Sequence, residues 1–246
     1  MRPIVRLRRE IAARFGRKPC RLNLQNPVVS FCFDDFPRSA LLIGGEILYK
    51  HGIHATYYCA MGLAGQQRAG DKIFQRSDLE QLLRAQHELA CHSFGHESCY
   101  TLSGSQLRRS CQKNQDAVRE ALGPYRLRNF AYPFGHVTLS AKTTVSSVYD
   151  SCRTTIGGIN TLEVDLAYVH ANALYSRLGT EGVRAYIAQN SLQNGWLVFY
   201  THDVVSEPTI YGCTPKYFRE VLSMVLDSGA DILSMAEAVE KFYQPE

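Results

Sequence analysis

Short apolar runs, rich in β-branched and aromatic residues, alternate with amphipathic stretches along most of this 246-residue chain, and that alternation restricts its fold more than any other feature. Residues 27–33, 54–60, 87–92, 129–133, 151–155, 196–201 and 231–234 read as strands. Helices are predicted over 38–50 and over 105–122, where Gly123-Pro124 supplies a stop. A capping box at Ser77-Asp-Leu-Glu80 predicts a helix to about Gln86, and another helix is expected near 140–148. Thr214-Pro215 caps a later helix with proline at its first position, and a C-terminal helix follows the last strand. Strands alternating with helices imply a mostly parallel sheet covered by helices, either a βα barrel or an open doubly wound sheet. The length suits a single α/β barrel, which often runs to about 250 residues.

Charge is uneven along the chain. Residues 1–21 carry eight cations (Arg2, Arg6, Arg8, Arg9, Arg14, Arg17, Lys18 and Arg21) against one anion, Glu10. Since the whole chain has a net charge of only +4, the remainder is mildly acidic, which does not suit a nucleic-acid partner. We read residues 1–26 as a basic N-terminal extension and 27–246 as one domain. Within the extension, Ile4, Leu7, Ile11 and Phe15 fall on one side of an expected amphipathic helix. That helix either packs on the barrel or makes peripheral contact with an anionic membrane surface. No apolar core of leader length follows the basic residues, so no secretory signal is expected. No apolar run is long enough to span a bilayer. Of eight cysteines, Cys32, Cys59 and Cys91 sit inside apolar stretches, and there is no CxxC. They read as reduced, buried hydrophobes, and the expected location is cytoplasmic, with the basic terminus allowing contact with the inner membrane face.

Polar residues capable of chemistry recur where the apolar runs end. Asp34-Asp35 follows Val-Val-Ser-Phe-Cys-Phe, His92 follows Glu-Leu-Ala-Cys, Tyr132-Pro133-Phe134-Gly135 closes the fourth run, and His202-Asp203 follows Leu-Val-Phe-Tyr-Thr. Active sites of barrels lie at that end of the strands. Adjacent carboxylates point to opposite faces of a strand, so Asp34 and Asp35 can share a site only where the strand breaks, and Phe36-Pro37 supplies the break. They suit one metal ligand and one general base, or else a solvated turn that caps the next helix. His92-Ser-Phe-Gly-His96 reads as a strand-end loop that brings two imidazoles to one ion, or as two unrelated loop histidines. Asp35, His92 and His96 together would leave an open coordination position, the arrangement of a catalytic zinc, which lowers the pKa of its water to roughly 7. His202 reads as a general acid, which amide hydrolysis needs because an amine anion leaves poorly, or as a half-buried strand histidine. Asp203 would point away from it on a regular strand.

With these residues assembled, the chain resembles the polysaccharide deacetylases with a NodB homology domain, carbohydrate esterase family four. Phe33-Asp34-Asp35 matches the Phe-Asp-Asp of their first motif, with Cys32 at the hydroxyl position. His92-Ser93-Phe94-Gly95-His96 matches their second motif in full. Pro133-Phe134-Gly135 matches the end of the third, and the strand from Trp196 to His202 matches the last. The resemblance implies a distorted (β/α)7 barrel. It implies Asp34 as base, Asp35, His92 and His96 as ligands of zinc (or cobalt, nickel or manganese), and His202 as acid. It places the backbone N–H of Phe134 at the oxyanion, with Tyr132 and Pro133 beside the substrate. The substrate class implied is an N-acetylated (or O-acetylated) sugar, oligosaccharide or polysaccharide precursor. Tyr100, Tyr132 and Tyr211 are aromatic candidates for the rim. Two departures stand out. Ala131 occupies the position of an arginine that orients the base in many members, and the fourth motif is not recognisable. Arg153 is the candidate substitute for that positive charge. The alternatives are a catalytically silent carbohydrate-binding member and an amidohydrolase acting on a non-sugar amide.

Overall fold

The computed structural model describes residues 3–68 and 71–243. The strands are β1 (Pro19–Arg21), β2 (Val28–Phe33), β3 (Thr56–Cys59), β4 (Gln67–Arg68), β5 (Asp71–Lys72), β6 (Glu88–Cys91), β7 (Asn129–Ala131), β8 (Ser151–Arg153), β9 (Glu163–Asp165), β10 (Asn172–Ala173), β11 (Trp196–Thr201) and β12 (Asp231–Ile232). The helices are α1 (Pro3–Arg14), α2 (Glu46–Tyr49), α3 (Arg76–Arg84), α4 (Gly104–Leu122), α5 (Leu139–Ser146), α6 (Glu181–Gln193), α7 (Pro215–Asp227) and α8 (Met235–Tyr243). Every apolar run read from the sequence thus becomes a strand.

The main sheet runs β10-β11-β2-β3-β6-β7-β8, and all its pairings are parallel. One edge of β2 is shared: β12 pairs its start, Val28 and Val29, and β3 pairs its end, Cys32 and Phe33. Every residue of β2 and β11 is buried, because helices cover the outer face and the curled sheet encloses the inner one. The period of two then sorts side chains. Val29, Phe31, Phe33, Leu197 and Phe199 join the core under the helices. Val28, Cys32, Tyr58, Ala90, Ala131, Trp196, Val198 and Tyr200 pack inside the curl. The inner polar groups are satisfied: Trp196 Nε1 donates to Ser30, and the buried Glu88 carboxyl accepts from Thr56 at 2.8 Å and Asn129 at 2.5 Å. Burial pushes Glu88 up despite these bonds.

Two local expectations are revised, and one stretch left unread in the sequence gains structure. The helix expected over 38–50 is a π-helical stretch, Ala40–Gly45, running into α2. Gly44 and Gly45 let it lie against the sheet: an added Cβ would come within 3.0 Å of the Phe33 ring and 2.8 Å of the Tyr57 hydroxyl. The cap of α3 lies two residues before Ser77, at Gln75, because Asp78 accepts the Gln75 N–H at 2.7 Å while Arg38 holds the same carboxylate at 2.7 and 2.9 Å. The stretch between β8 and β11, which carries no clear periodicity, contains β9, β10 and α6. Side-chain amides hold it, with Asn160 donating to Trp196 O and His170 O, and Asn172 to Gly158 O.

The basic N-terminus packs on the barrel. β1 pairs antiparallel with β9, and the fully buried Lys142 of α5 donates to Ala12 O at 2.6 Å, Phe15 O at 2.9 Å and the Asp165 carboxylate at 2.6 Å. Lys142→Met should therefore lower stability by about 3 kcal/mol, since it leaves the largely buried Asp165 carboxylate without its counter-charge and two carbonyls without this donor. Urea unfolding of the full chain measures this, and an unchanged midpoint would contradict it. Among the described residues, no helix is long and apolar enough to cross a membrane. All eight cysteines are buried and unpaired, Cys32, Cys59 and Cys91 of the apolar stretches among them.

Candidate active site

The inward-facing alternation of each strand leads to the chemistry. On β2 it runs Val28, Ser30, Cys32 and then Asp34; on β6 it runs Glu88, Ala90 and then His92; on β11 it runs Trp196, Val198, Tyr200 and then His202. A cavity of about 810 Å³ opens at this end of the sheet, and Asp34, Asp35, His92, His96, Phe134 and His202 all line it. A larger groove of about 990 Å³ lies between α1 and residues 156–170; no group of metal-ligating side chains converges there among the described residues.

Asp35 reaches the cavity because the chain leaves β2 in left-handed geometry, with φ of 59° at Asp35 and 52° at Phe36. This resolves how two adjacent carboxylates face one site. Ser93 and His96 also have positive φ, 59° and 56°, so the His-x-x-x-His segment is a loop. Glu97, which the sequence reading did not single out, ties that loop down. Its carboxylate accepts from the Ser93 hydroxyl at 2.7 Å, from Gly95 N–H at 3.1 Å and from the Ser110 hydroxyl at 2.9 Å.

The ligand atoms of Asp35, His92 and His96 lie within 4.8 Å of one another. His92 Nδ1–H donates to Ala131 O at 2.8 Å, which leaves Nε2 bare and 3.6 Å from Asp35 Oδ1; His96 Nε2 is 3.1 Å from the same oxygen. Among the described residues that buried oxygen accepts no hydrogen bond. Burial pushes both imidazoles down to about 4, helped by His96 beside His92 and by Arg68 beside His96, so both are neutral at physiological pH. Two neutral imidazole nitrogens and an orphaned carboxylate oxygen fit a divalent metal ion, and the backbone bond that fixes the His92 tautomer is the usual support for such a ligand.

Asp34 is held differently. The wholly buried Arg153 guanidinium pairs with Asp34 Oδ1 and donates to Thr154 O at 2.9 Å. Its guanidinium carbon lies 4.8 Å from the Tyr58 ring centroid and 4.9 Å from that of Tyr200. Arg153 is the register partner of Ala131, one strand over. The small side chain at 131 leaves room at that level for an arginine arriving from β8. Burial would raise the Asp34 carboxyl, but Arg153, with His92 and His202, brings it below its ordinary value. Asp34 is thus ionised at neutral pH.

Across the cavity, His202 Nδ1–H donates to Tyr211 O at 3.2 Å, leaving Nε2 free for chemistry. Asp203 does not orient it: its carboxylate accepts the Thr209 N–H and hydroxyl, at 2.7 and 2.5 Å, and clamps the following loop. Phe134 sits at φ 60° in the turn after β7, with its ring 4.3 Å from that of His96. Tyr132 and Pro133 do not line the cavity. With Ala131 facing inward, the Tyr132 side chain must face outward, and it is buried in the outer core with its hydroxyl on Ala167 O. Of the candidate rim aromatics, Tyr211 lines the cavity, whereas Tyr100 stacks on His136 with ring centroids 4.1 Å apart. Tyr175 and Tyr200 line it too and went unremarked in the sequence. Tyr200 was findable, two residues before His202 and hence on the same face; Tyr175 lies in the stretch without periodicity.

Comparison with known proteins places this arrangement. A chitin deacetylase from Colletotrichum lindemuthianum shares the fold at 14% identity, with a TM-score of 0.63 and coverage of 89% of each chain. A Mycobacterium smegmatis protein assigned to the polysaccharide deacetylases superposes with a TM-score of 0.66 at 15% identity, over 92% of this chain and 98% of its own. A family 4 acetyl xylan esterase from Clostridium thermocellum, solved in complex with a cobalt ion, gives 0.58 at 17% identity, over 87% and 90%. The curved parallel sheet is thus a distorted (β/α)7 barrel. No curated protein sequence matches significantly. The family model for polysaccharide deacetylase matches residues 21–149, which include both carboxylates, both loop histidines and the Pro-Phe-Gly turn, and the chain belongs to the polysaccharide deacetylase family.

Proposed function

We propose that this chain is a metal-dependent deacetylase that hydrolyses an N-linked acetyl group, or alternatively an O-linked one, on a sugar, oligosaccharide or polysaccharide precursor. The observation that carries this reading is the meeting of two differently held carboxylates at one cavity. Asp35 presents an unpartnered oxygen to two neutral imidazoles, while Asp34, its neighbour in sequence, is locked ionised by Arg153.

Asp35, His92 and His96 would hold the ion; zinc suits the donor set, and cobalt, nickel or manganese are the alternatives. When bound, a divalent ion there supplies a Lewis acid and an acidified water. The chain's own residues do the rest. Asp34 Oδ1 is engaged by Arg153, so Oδ2 takes the proton from the attacking water. The Phe134 N–H, set by the left-handed turn, donates to the oxygen that gains charge as the carbonyl is attacked. His202 Nε2 gives a proton to the departing nitrogen or oxygen, its ring held by the Tyr211 carbonyl. Tyr211, exposed at the rim, offers a ring face to a saccharide, and the buried Tyr175 and Tyr200 line the cavity behind it.

His92→Ala tests the metal half. Loss of a ligand should weaken metal binding by more than the roughly 10- to 100-fold cost of losing an outer-shell partner. Metal content after equilibration and gel filtration reads this directly. Unchanged stoichiometry would remove His92 from the site. An acetate-release screen over N-acetylglucosamine oligomers and O-acetylated xylan then separates N- from O-deacetylation.

A further inference from the structure

The exterior of α1 carries a feature that the barrel does not use. Its packed side is formed by Ala12, which is fully buried, with the part-buried Val5 and Arg9. At 100° per residue, Leu7, Ile11 and Phe15 fall together on the far side, and they are 55%, 38% and 58% exposed. Arg2 and the side chain of Ile4, which the sequence places with this segment, lie outside the described residues. Arg8 and Arg14 flank the apolar stripe, and Arg6 and Arg17 are exposed on the same segment.

The stripe is presented by construction. Lys142 bonds the carbonyls of Ala12 and Phe15, the N–H of Phe15 bonds Ile11 O, and β1 is stitched to β9 directly afterwards. These bonds fix the roll of the helix, so the apolar residues cannot turn inward without breaking them. An apolar stripe flanked by arginines, on a helix whose other side is already packed, is complementary to one kind of surface: acyl chains beneath anionic headgroups. A nucleic acid would use the arginines but not the stripe.

We propose that α1 is an interfacial anchor, which lays Leu7, Ile11 and Phe15 into the surface of an anionic lipid bilayer with Arg8 and Arg14 at the level of the phosphates. The anchor stands beside the catalytic rim. The Arg8 guanidinium carbon is 5.7 Å from the Tyr100 ring centroid, Tyr100 stacks on His136, and His136 lies 5.4 Å from Phe134 at the cavity mouth. Docking through α1 therefore holds the cavity at the membrane surface.

Co-sedimentation of the full chain with vesicles tests this without reference to activity, so its outcome is independent of the deacetylase reading. The chain should sediment with vesicles of equal parts phosphatidylglycerol and phosphatidylcholine, and not with phosphatidylcholine alone. Raised salt should weaken the binding. The exposed double substitutions Leu7→Asp/Ile11→Asp and Arg8→Glu/Arg14→Glu should each weaken it by roughly tenfold or more, at unchanged circular dichroism. Equal partitioning of wild type and variants, or no preference for the anionic vesicles, would overturn the proposal. So would a concentration-dependent dimer in analytical ultracentrifugation that the Leu7→Asp/Ile11→Asp chain cannot form, since the stripe would then be covered by a second copy.

Discussion

Arg153→Met should destabilise the fold by about 3 kcal/mol at neutral pH and move the acid limb of the pH–rate profile to higher pH. Both effects follow from one contact. Arg153 and Asp34 are buried together, and truncating the cation leaves a carboxylate 4% exposed without its principal counter-charge. Because the pairing holds Asp34 below its ordinary pKa, the stability it contributes is present at neutral pH and is lost as pH falls through that depressed value. In the variant, burial loses its principal opponent, so the Asp34 carboxyl rises and the ionised base is lost earlier on acidification. Turnover on the plateau should fall roughly 10- to 100-fold, as expected for a positioning residue that acts through the base. Arg153→Lys should restore part of the charge effect but not the packing between the Tyr58 and Tyr200 rings. An unshifted acid limb in Arg153→Met would show that the contact is structural only.

Asp34→Asn should cost roughly 10²- to 10⁴-fold in turnover, the range for removing a general base, with metal content unchanged. The asparagine keeps the shape of the side chain and can still accept from Arg153, but it cannot take the proton from water. Asp35 cannot substitute, because its oxygen faces His92 and His96. The two adjacent residues therefore separate in experiment: loss of turnover with metal kept at 34, and loss of metal at 35. Turnover near wild type in the metal-replete Asp34→Asn chain would remove Asp34 from the proposed role.

Much of this site was legible because barrel strands are short and buried on both faces, so a charged or imidazole residue at the end of one is conspicuous. Asp34, Asp35, His92, His96 and His202 all announce themselves that way. Arg153 was legible only as a spare charge. Its partner lies 119 positions away, and nothing in Ser-Cys-Arg shows that β8 runs in register with Ala131. Tyr132 was misplaced because a motif at a strand end does not declare which of two neighbours faces inward; that parity is set by the register of the whole sheet. The capping of α3 was misread by two residues because two overlapping boxes, Gln75 with Asp78 and Ser77 with Glu80, share the same spacing, and the structure uses the first, whose Asp78 is also held by Arg38. The stretch holding Tyr175 is organised by asparagine side chains bonding backbone groups, which leave no periodicity to read.

Acetate release from N-acetylglucosamine oligomers should be followed with the wild-type chain as purified, stripped by chelator, and restored with zinc. Release that stops on stripping and returns on restoration is the expected result. Release that is indifferent to the metal, or a metal-replete chain that binds the oligomers and frees no acetate, would contradict the assignment of this chain as a metal-dependent deacetylase.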